Sequence, residues 1–369
     1  MRLALDARKL TDFGIGTYLG QLIRGLGERS DTDLLILGAH EHEARIRSLN
    51  ENARFIPVAA NGYSLREHYR LPAALWREQV DLVHVPHYVA PIWMPRPFVV
   101  TVHDVIQIFY PPRDRPRLAL LYVRMMIGSA MRRAREVITV SRASRRDLVQ
   151  LFGIDRSRVS VVSNGVDEAL QIRPPAEEID EIKERYRLKT PLILVIGNDK
   201  PHKNLDLALR AFHLACRRHS IPGQLVFVGG LGDDNRFANR IRHLGIEDRV
   251  RFLGRVPFKD LRALYHVAAV QLHVALYEGF GLPILEAMRA GLPVITSNLG
   301  AMLELGEGSA RLVNPLDVNE VAAAIQQVLV DDPLRRRMIE AGRKKADILT
   351  WQRMVEKTML VYQKAVRGR

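Results

Sequence analysis

A chain of 369 residues with 47% hydrophobic and 26% charged side chains has room for two α/β domains and the composition of a soluble globular protein. Its single cysteine, Cys216, excludes an internal disulfide and a thiolate zinc cluster and points to a reducing compartment. A net charge of +14 invites a nucleic-acid reading, yet charge alone speaks to solubility and non-specific attraction, and with no interleaved aromatics or nucleic-acid motif no such partner is expected.

The opening M-R-L-A-L-D-A-R reads as a short strand rather than a charged segment followed by an apolar run and a cleavage site. No stretch of about 18 consecutive apolar residues occurs, so neither secretion by that route nor a membrane span is expected. Strand-like runs at 3–6, 34–37, 82–85, 98–102, 137–140 and 159–162 alternate with helical patterns such as 17–27 and 141–152, which indicates a parallel sheet with helices on both faces.

After the first strand comes G-I-G-T-Y-L-G, 14–20, where Gly16 would let backbone amides approach a phosphate. The spacing G-x-G-x-x-x-G, with no acidic residue well placed at the end of the next strand, does not match a nicotinamide fingerprint, and ordinary packing glycines are the alternative. Loops 61–70 and 86–96 hold His68, Tyr69, Arg70, His87, Tyr88 and Trp93, which suit either an acceptor pocket or packing. T-V-H-D, 101–104, places His103 at the carboxyl end of a buried strand, where ligands of such sheets sit and where a hydrogen-bonded structural histidine is also at home.

Between residues 113 and 146 ten arginines stand against Asp114 and Glu136, and the segment 118–135 joins apolar and basic residues at near-helical spacing. It is either a core helix with a basic outer face or a surface helix that touches anionic lipid headgroups. A second basic run, 335–369, sets eleven Arg or Lys against Glu340, Asp347 and Glu356.

S-N-G-V-D, 163–167, reads as a tight structural turn braced by Asp167. The first series of elements then stops at Arg173-Pro174-Pro175, and residues 173–189 are expected to link a domain at 1–172 to one at 190–351. A second series follows, with strands at 191–197, 225–229, 250–253, 270–274 and 294–296 and a helix at 205–217. Two doubly wound domains facing a cleft are the expected architecture, since ligands of such sheets bind at the carboxyl ends of the strands.

G-N-D-K-P-H-K-N, 197–204, follows a strand and precedes a helix, so Lys203 would set its ammonium against a diphosphate; an exposed lysine in a polar loop is the alternative. No metal is expected, because the only D-x-D, Asp31-Thr32-Asp33, precedes a strand instead of following one.

The run Y-E-G-F-G-L-P-I-L-E-A-M-R-A-G-L-P-V-I-T-S-N, 277–298, is the most informative. Gly279 and Gly281 permit close ligand approach, and Pro283 suits the first turn of a helix beginning near Leu282. Amides around Gly281, Leu282 and Ile284, at the positive end of the helix dipole, would form an anion site. Glu278 in the loop and Glu286 one turn into the helix would be repelled by phosphate, so each is suited to sugar hydroxyls, unless both are incidental surface glutamates.

Glu278-x7-Glu286 within E-G-F-G-L-P-I-L-E-A-M resembles the retaining glycosyltransferases of the GT-B fold, family 4 (group 1), and the other motifs extend that resemblance over nearly the whole chain. It implies an α/β architecture of two Rossmann-like doubly wound parallel-sheet domains, an acceptor side at 1–172, a nucleotide-sugar side at 190–351, and a C-terminal helix, 352–369, returning to the first domain. It implies a donor site at Gly16, Asn198, Lys203, Gly254, Val256, Gly279, Phe280, Gly281, Leu282 and Glu286, with V-R-F-L-G-R-V-P, 250–257, holding the nucleobase. His103 would line the reaction centre with Asp104 behind it, Glu278 would position sugar hydroxyls, Lys203 would stabilise the departing diphosphate, and Glu286 would hold the ribose. His68, Tyr69, His87 and Tyr88 are the acceptor-side candidates.

Related enzymes carry an arginine in the 197–204 loop where this chain has Asn198 and His202, which leaves Lys203 with Lys200 for the leaving group. The resemblance further implies no cofactor and no metal, GDP-mannose or a UDP-sugar as donor, and retention by a front-face route without a covalent nucleophile. The acceptor would be a saccharide or lipid-linked saccharide, and the location cytoplasmic, peripheral to an anionic membrane at its inner face. The alternatives are a nucleotide-sugar epimerase or phosphorylase on the same fold, or a non-catalytic scaffold that binds membranes or polyanions.

Overall fold

The computed structural model describes residues 1–58, 67–111, 116–230 and 236–368, without the side chains of residues 13, 67, 68, 117 and 236. The chain divides into two compact units, one formed by Met1–Gly165 together with Thr350–Arg369, the other by Val166–Leu349.

The first unit is built on strands β1 (Arg2–Asp6), β2 (Asp33–Gly38), β3 (Arg54–Pro57), β4 (Leu82–Val85), β5 (Phe98–Thr101), β6 (Glu136–Thr139) and β7 (Val159–Val161). They pair in parallel in the order β3-β2-β1-β4-β5-β6-β7. Covered on both faces, the inner strands read as unbroken apolar runs such as L-A-L and F-V-V instead of alternating. β3 lies outside the expected strands: it is short, partly exposed and ends in Pro57, which an edge strand tolerates because its outer N–H needs no partner.

The second unit holds β8 (Leu192–Ile196), β9 (Gln224–Val228), β10 (Val250–Phe252), β11 (Ala268–His273), β12 (Val294–Ser297) and β13 (Arg311–Val313) in the parallel order β10-β9-β8-β11-β12-β13. The edge strand β13 is again one that its three residues do not announce. The helix Leu205–His219 buries Leu205, Ala208, Leu209, Phe212 and Ala215, an i, i+3, i+4 stripe that lies in the unit's core.

The segment 173–189, expected as a linker, instead carries the helix Ala176–Arg185 and belongs to the second unit. Its acidic run places Ile179 and Ile182 one turn apart, and both are buried. Arg185 and Tyr186 reach the buried carboxylate of Asp260 at 3.0 and 2.5 Å. The first unit ends earlier, at Gly165, where a Cβ would lie 2.1 Å from the amide nitrogen of Trp351.

That contact marks the return of the chain. The helix Trp351–Arg367 belongs to the first unit and buries Met354, Val355, Thr358, Met359, Val361, Tyr362 and Ala365. It lies against the helix Phe13–Gly27, where Gly25 is needed because a Cβ would come within 2.6 Å of Val355. Tyr362 hydrogen bonds to His84 Nδ1 at 2.7 Å, and His84 Nε2 bonds to Thr101 Oγ1 at 2.7 Å, so both nitrogens of a fully buried imidazole on β4 are engaged.

The helix Arg117–Arg133 packs one side into the unit and leaves another exposed. It buries Val123, Met126, Ile127, Ala130 and Met131, while Leu118, Leu121 and Met125 on another side are 78%, 54% and 60% exposed. Among the described residues no helix is long and apolar enough to cross a membrane.

Burial pushes His84 down to about 3, and pushes His103 down to about 4 against the opposing pull of its hydrogen bond to a backbone carbonyl. Unfolded histidine takes up its proton near pH 6.5, so the stability from keeping each ring neutral is present above that pH and is lost as pH falls towards the folded values. Below pH 6.5 the fall in unfolding free energy measured in urea steepens towards a limit of about 1.4 kcal/mol per pH unit for each such ring. His84→Gln removes one ring's share of that slope.

Candidate functional site

In the second sheet the strand order reverses between β8 and β11, so the loops leaving their carboxyl ends, 197–204 and 274–281, emerge side by side. Such a switch point is where open α/β sheets bind ligands. The loops are bound to each other directly. Leu276 donates its amide to the His202 carbonyl at 2.7 Å, and Asn204, in the left-handed region at φ 56°, donates its side-chain amide to the carbonyls of Val274 and Pro315 at 3.1 and 2.8 Å.

Across β8, β9 and β10 the carboxyl ends meet through glycines. Gly229 has φ 132° and a Cβ there would lie 2.0 Å from the Gly197 carbonyl oxygen; its own amide donates to Gly254 at 2.8 Å. Gly254 has φ 64° and open space where a Cβ would point, and Val256 beside it is half-buried. Asn198 is half-buried, and its Oδ1 has no hydrogen-bond partner among the described residues.

The short turn Pro201–Lys203 aims Lys203 at Glu278. The ammonium donates to Glu278 Oε1, and both side chains are nearly buried, 15% and 13% exposed. His273, the last residue of β11 and itself buried, brings Nε2 to 3.1 Å from the same oxygen. Burial alone would raise the Glu278 carboxyl, but the Lys203 charge and the His273 hydrogen bond outweigh it and hold the group far below the usual carboxylate range. His202 is pushed down to about 4, by burial first and against the attraction of Glu278, so it is neutral at pH 7. Lys200, at the start of the turn, is exposed.

Glu278 leads into the helix Leu282–Ala290. Gly279 and Phe280 are buried, and Gly281 precedes the helix at φ 100°, which an L side chain rarely adopts. Ile284 is not one of the outward amides: its N–H closes the first turn on the Gly281 carbonyl at 3.0 Å. The amides of Gly281 and Leu282 donate to no backbone carbonyl among the described residues, and they stand at the positive helix end.

Glu286, four residues into this helix, is half-buried and accepts a hydrogen bond from Tyr265 at 2.7 Å. Its carboxyl is raised by burial and by the negative charge of Asp167, with the Tyr265 hydrogen bond opposing. The two glutamates thus sit in opposite electrostatic surroundings. One is charge-compensated and strongly acidic; the other has, among the described residues, a neutral phenol as its hydrogen-bond partner.

In the first unit the order reverses between β1 and β4, and the segments after β1, β3, β4 and β5 carry the remaining candidates. His103 Nε2 lies 3.2 Å from the Pro86 carbonyl, an acceptor, so that nitrogen carries the hydrogen and Nδ1 is left with a lone pair. The ring packs edge-on against buried Tyr18 at 4.9 Å. Asp104 accepts the Ile106 amide at 2.9 Å and so turns the chain after β5. His87 and Tyr88 are buried with their rings 4.0 Å apart, and Tyr69 is exposed. His68 and Tyr69, expected in a loop at 61–70, lie in the helix Glu67–Trp76, and residues 61–66 and the side chain of His68 lie outside the described residues. Gly16 is buried inside the helix Phe13–Gly27: its amide donates to the Asp12 carbonyl at 2.5 Å, and a Cβ would lie 2.3 Å from the Leu10 carbonyl oxygen. Packing therefore accounts for that glycine.

Two residues of the second unit's site, His273 and Tyr265, have no motif of their own, and Asn204 closes the 197–204 motif without being singled out there. His273 at the end of an apolar strand, five residues before Glu278, is a signal in retrospect; Tyr265 touches Glu286 only through the fold. Replacing Lys203 by Met leaves Glu278 buried without its main counter-charge and costs about 3–5 kcal/mol, whereas Lys203→Met with Glu278→Leu recovers most of the loss. Chemical denaturation of the four members of this double-mutant cycle measures both effects.

The residues 177–345 match the family model of the glycosyl transferases group 1, and residues 14–170 that of glycosyltransferase family 4. The chain is 30% identical over 367 residues to the O-antigen chain mannosyltransferase B of Escherichia coli, covering 95% of this chain and 96% of that protein. It is 34% identical over 236 residues to the MMP alpha-(1->4)-mannosyltransferase of Mycolicibacterium hassiacum, covering 63% of this chain and 54% of that one. Among solved structures it resembles the sucrose-phosphate synthase of Thermosynechococcus elongatus, at TM-score 0.81 and 20% identity with both chains fully covered. It also resembles Anabaena Alr3699/HepE in complex with UDP and glucose, at TM-score 0.76 and 19% identity over 98% of this chain and 99% of that one. With both family models matched in sequence order and a relative aligned over nearly its whole length, the chain belongs to the group 1 glycosyltransferases of the GT-B fold.

Proposed function

We propose that this glycosyltransferase moves a hexose, mannose in preference to glucose, from a nucleotide diphosphate sugar to a hydroxyl of a saccharide or lipid-linked saccharide, with retention of configuration and without a metal. The observation that carries the donor reading is the Lys203–Glu278 pair at the switch point of the second sheet, beside the start of the helix Leu282–Ala290. Mannose is favoured because two sequence relatives are mannosyltransferases, and GDP-mannose is accordingly the first donor to test, with UDP-sugars second.

The second unit is assigned the donor. As the bond between sugar and phosphate breaks, negative charge grows on the diphosphate, and the Lys203 ammonium with the Gly281 and Leu282 amides stabilises it where a metal would otherwise serve. Glu278 accepts hydrogen bonds from hydroxyls of the sugar. Glu286 accepts from the ribose, a role that suits a carboxylate whose hydrogen-bond partner among the described residues is the Tyr265 hydroxyl. Asn198, Gly279 and Phe280 line the phosphate and sugar side, and the backbone near Gly254 and Val256 meets the base. The first unit is assigned the acceptor, with His87, Tyr88 and Tyr69 as candidates and His103 Nδ1 as one acceptor for a sugar hydroxyl. No side chain is assigned as nucleophile: a donor phosphate oxygen helps take the acceptor's proton on the face from which the diphosphate leaves.

The exposed apolar row of the helix Arg117–Arg133, on a segment rich in arginine, supports peripheral contact with an anionic lipid surface at the cytoplasmic side of a membrane. Sedimentation with vesicles containing phosphatidylglycerol is expected to carry the protein down. Vesicles of phosphatidylcholine alone, or a Leu121→Asp, Met125→Asp variant, are expected to leave it in solution.

A saturating donor, about 100-fold above its Kd, adds about 2.7 kcal/mol of stability, so a thermal-shift panel of GDP-mannose, UDP-glucose and UDP-N-acetylglucosamine identifies it directly. Glu286→Ala and Lys203→Ala are each expected to weaken that shift. A protein stabilised by no nucleotide sugar and no nucleoside diphosphate would falsify the donor assignment.

A further inference from the structure

The two protein donors to Glu278 converge on one oxygen. Lys203 Nζ and His273 Nε2 both meet Oε1, and among the described residues nothing donates to Oε2. A carboxylate can only accept, so the His273 nitrogen facing it carries the hydrogen.

The two donors differ in how firmly they are held. Lys203 ends a flexible four-carbon stem and has three N–H groups to share. His273 is part of β11, and its carbonyl accepts the Thr296 hydroxyl at 2.9 Å, which ties it to the neighbouring strand. The other ionisable groups nearby are His202, held neutral by burial, and exposed Lys200. If Lys203 engages a diphosphate, its hold on Glu278 weakens because the phosphate competes for the same charge. The imidazole then becomes the fixed anchor of a nearly buried carboxylate.

We infer that His273 is a positioning residue for the donor sugar: by anchoring Glu278 Oε1 from the rigid end of β11, it keeps Oε2 presented to sugar hydroxyls while Lys203 serves the diphosphate. The inference rests on the proposed reading of Glu278 and Lys203. It names a residue that touches neither the diphosphate nor the sugar and acts only through Glu278.

The test separates the sugar from the nucleotide. Calorimetry of the full chain is performed with GDP and GDP-mannose, and with UDP and UDP-glucose, alongside steady-state turnover of whichever donor is used. A hydrogen bond to a charged group is worth about 10- to 100-fold in affinity. His273→Phe, which keeps a ring but removes the donor, is expected to lower nucleotide-sugar affinity and kcat/KM by that factor while leaving affinity for the free nucleoside diphosphate within about twofold. His273→Gln, which restores an N–H of similar reach, is expected to recover most of the loss. His273→Asn, polar but too short to reach Oε1, is the check should the phenylalanine variant fold poorly, and it is expected to reproduce the loss. Equal weakening of diphosphate and nucleotide-sugar binding, or no weakening of either, overturns the role of His273. Failure of the wild-type chain to bind any of the four ligands overturns the donor reading itself, and that outcome is seen before any variant is made.

Discussion

The nearly buried pair of Lys203 and Glu278 is the interaction on which the second unit's site is organised. Taking two charges out of water costs several kcal/mol for each ion, and the pair is tolerable only because the charges lie in contact and the carboxylate has a further hydrogen bond from His273. Everything that fixes their approach follows from the parallel sheet. Adjacency of β8 and β11 brings the two loops together, Asn204 and the Leu276 amide bind one loop to the other, and the Thr296 hydroxyl holds the strand end from which His273 reaches. A less rigid frame would leave the charges to solvent.

The same frame separates the properties of two chemically identical side chains. Glu278 is held ionised by a neighbouring cation, and Glu286, eight residues on, is raised by burial and by Asp167. On the proposed donor reading, a molecule that presents both a polyanion and neutral hydroxyls needs positive charge and acceptors a few ångströms apart, and the Lys203–Glu278 pair supplies that arrangement with the carboxylate bringing its own counter-charge.

Much of this was legible in the residues. The apolar runs of the buried strands, Pro283 with Gly281 at the helix start, and the spacing of Glu278 and Glu286 each state a local physical requirement, and the helix and strands around them lie close to where those requirements put them. The edge strands β3 and β13 were not legible, since a short strand buried on few sides needs no distinctive pattern. The acidic run at 176–185 reads as a linker by charge and as a helix only once Ile179 and Ile182 are seen to share a buried face. Gly16 resembles a ligand-approach glycine in sequence, while its neighbour in space, the Leu10 carbonyl, accounts for it by packing. His273 and Tyr265 were silent because their meaning lies in partners that only the fold brings near.

The last helix carries a consequence for synthesis. Residues Trp351–Arg367 complete the core of the unit that begins at Met1, and the hydroxyl of Tyr362 is the partner of His84 on a strand made nearly 280 positions earlier. The intervening unit, Val166–Leu349, has every one of its strands before that helix leaves the ribosome. Translation therefore delivers the later unit whole while the earlier one still has an open flank, and loss of this helix would injure the unit that was made before its neighbour.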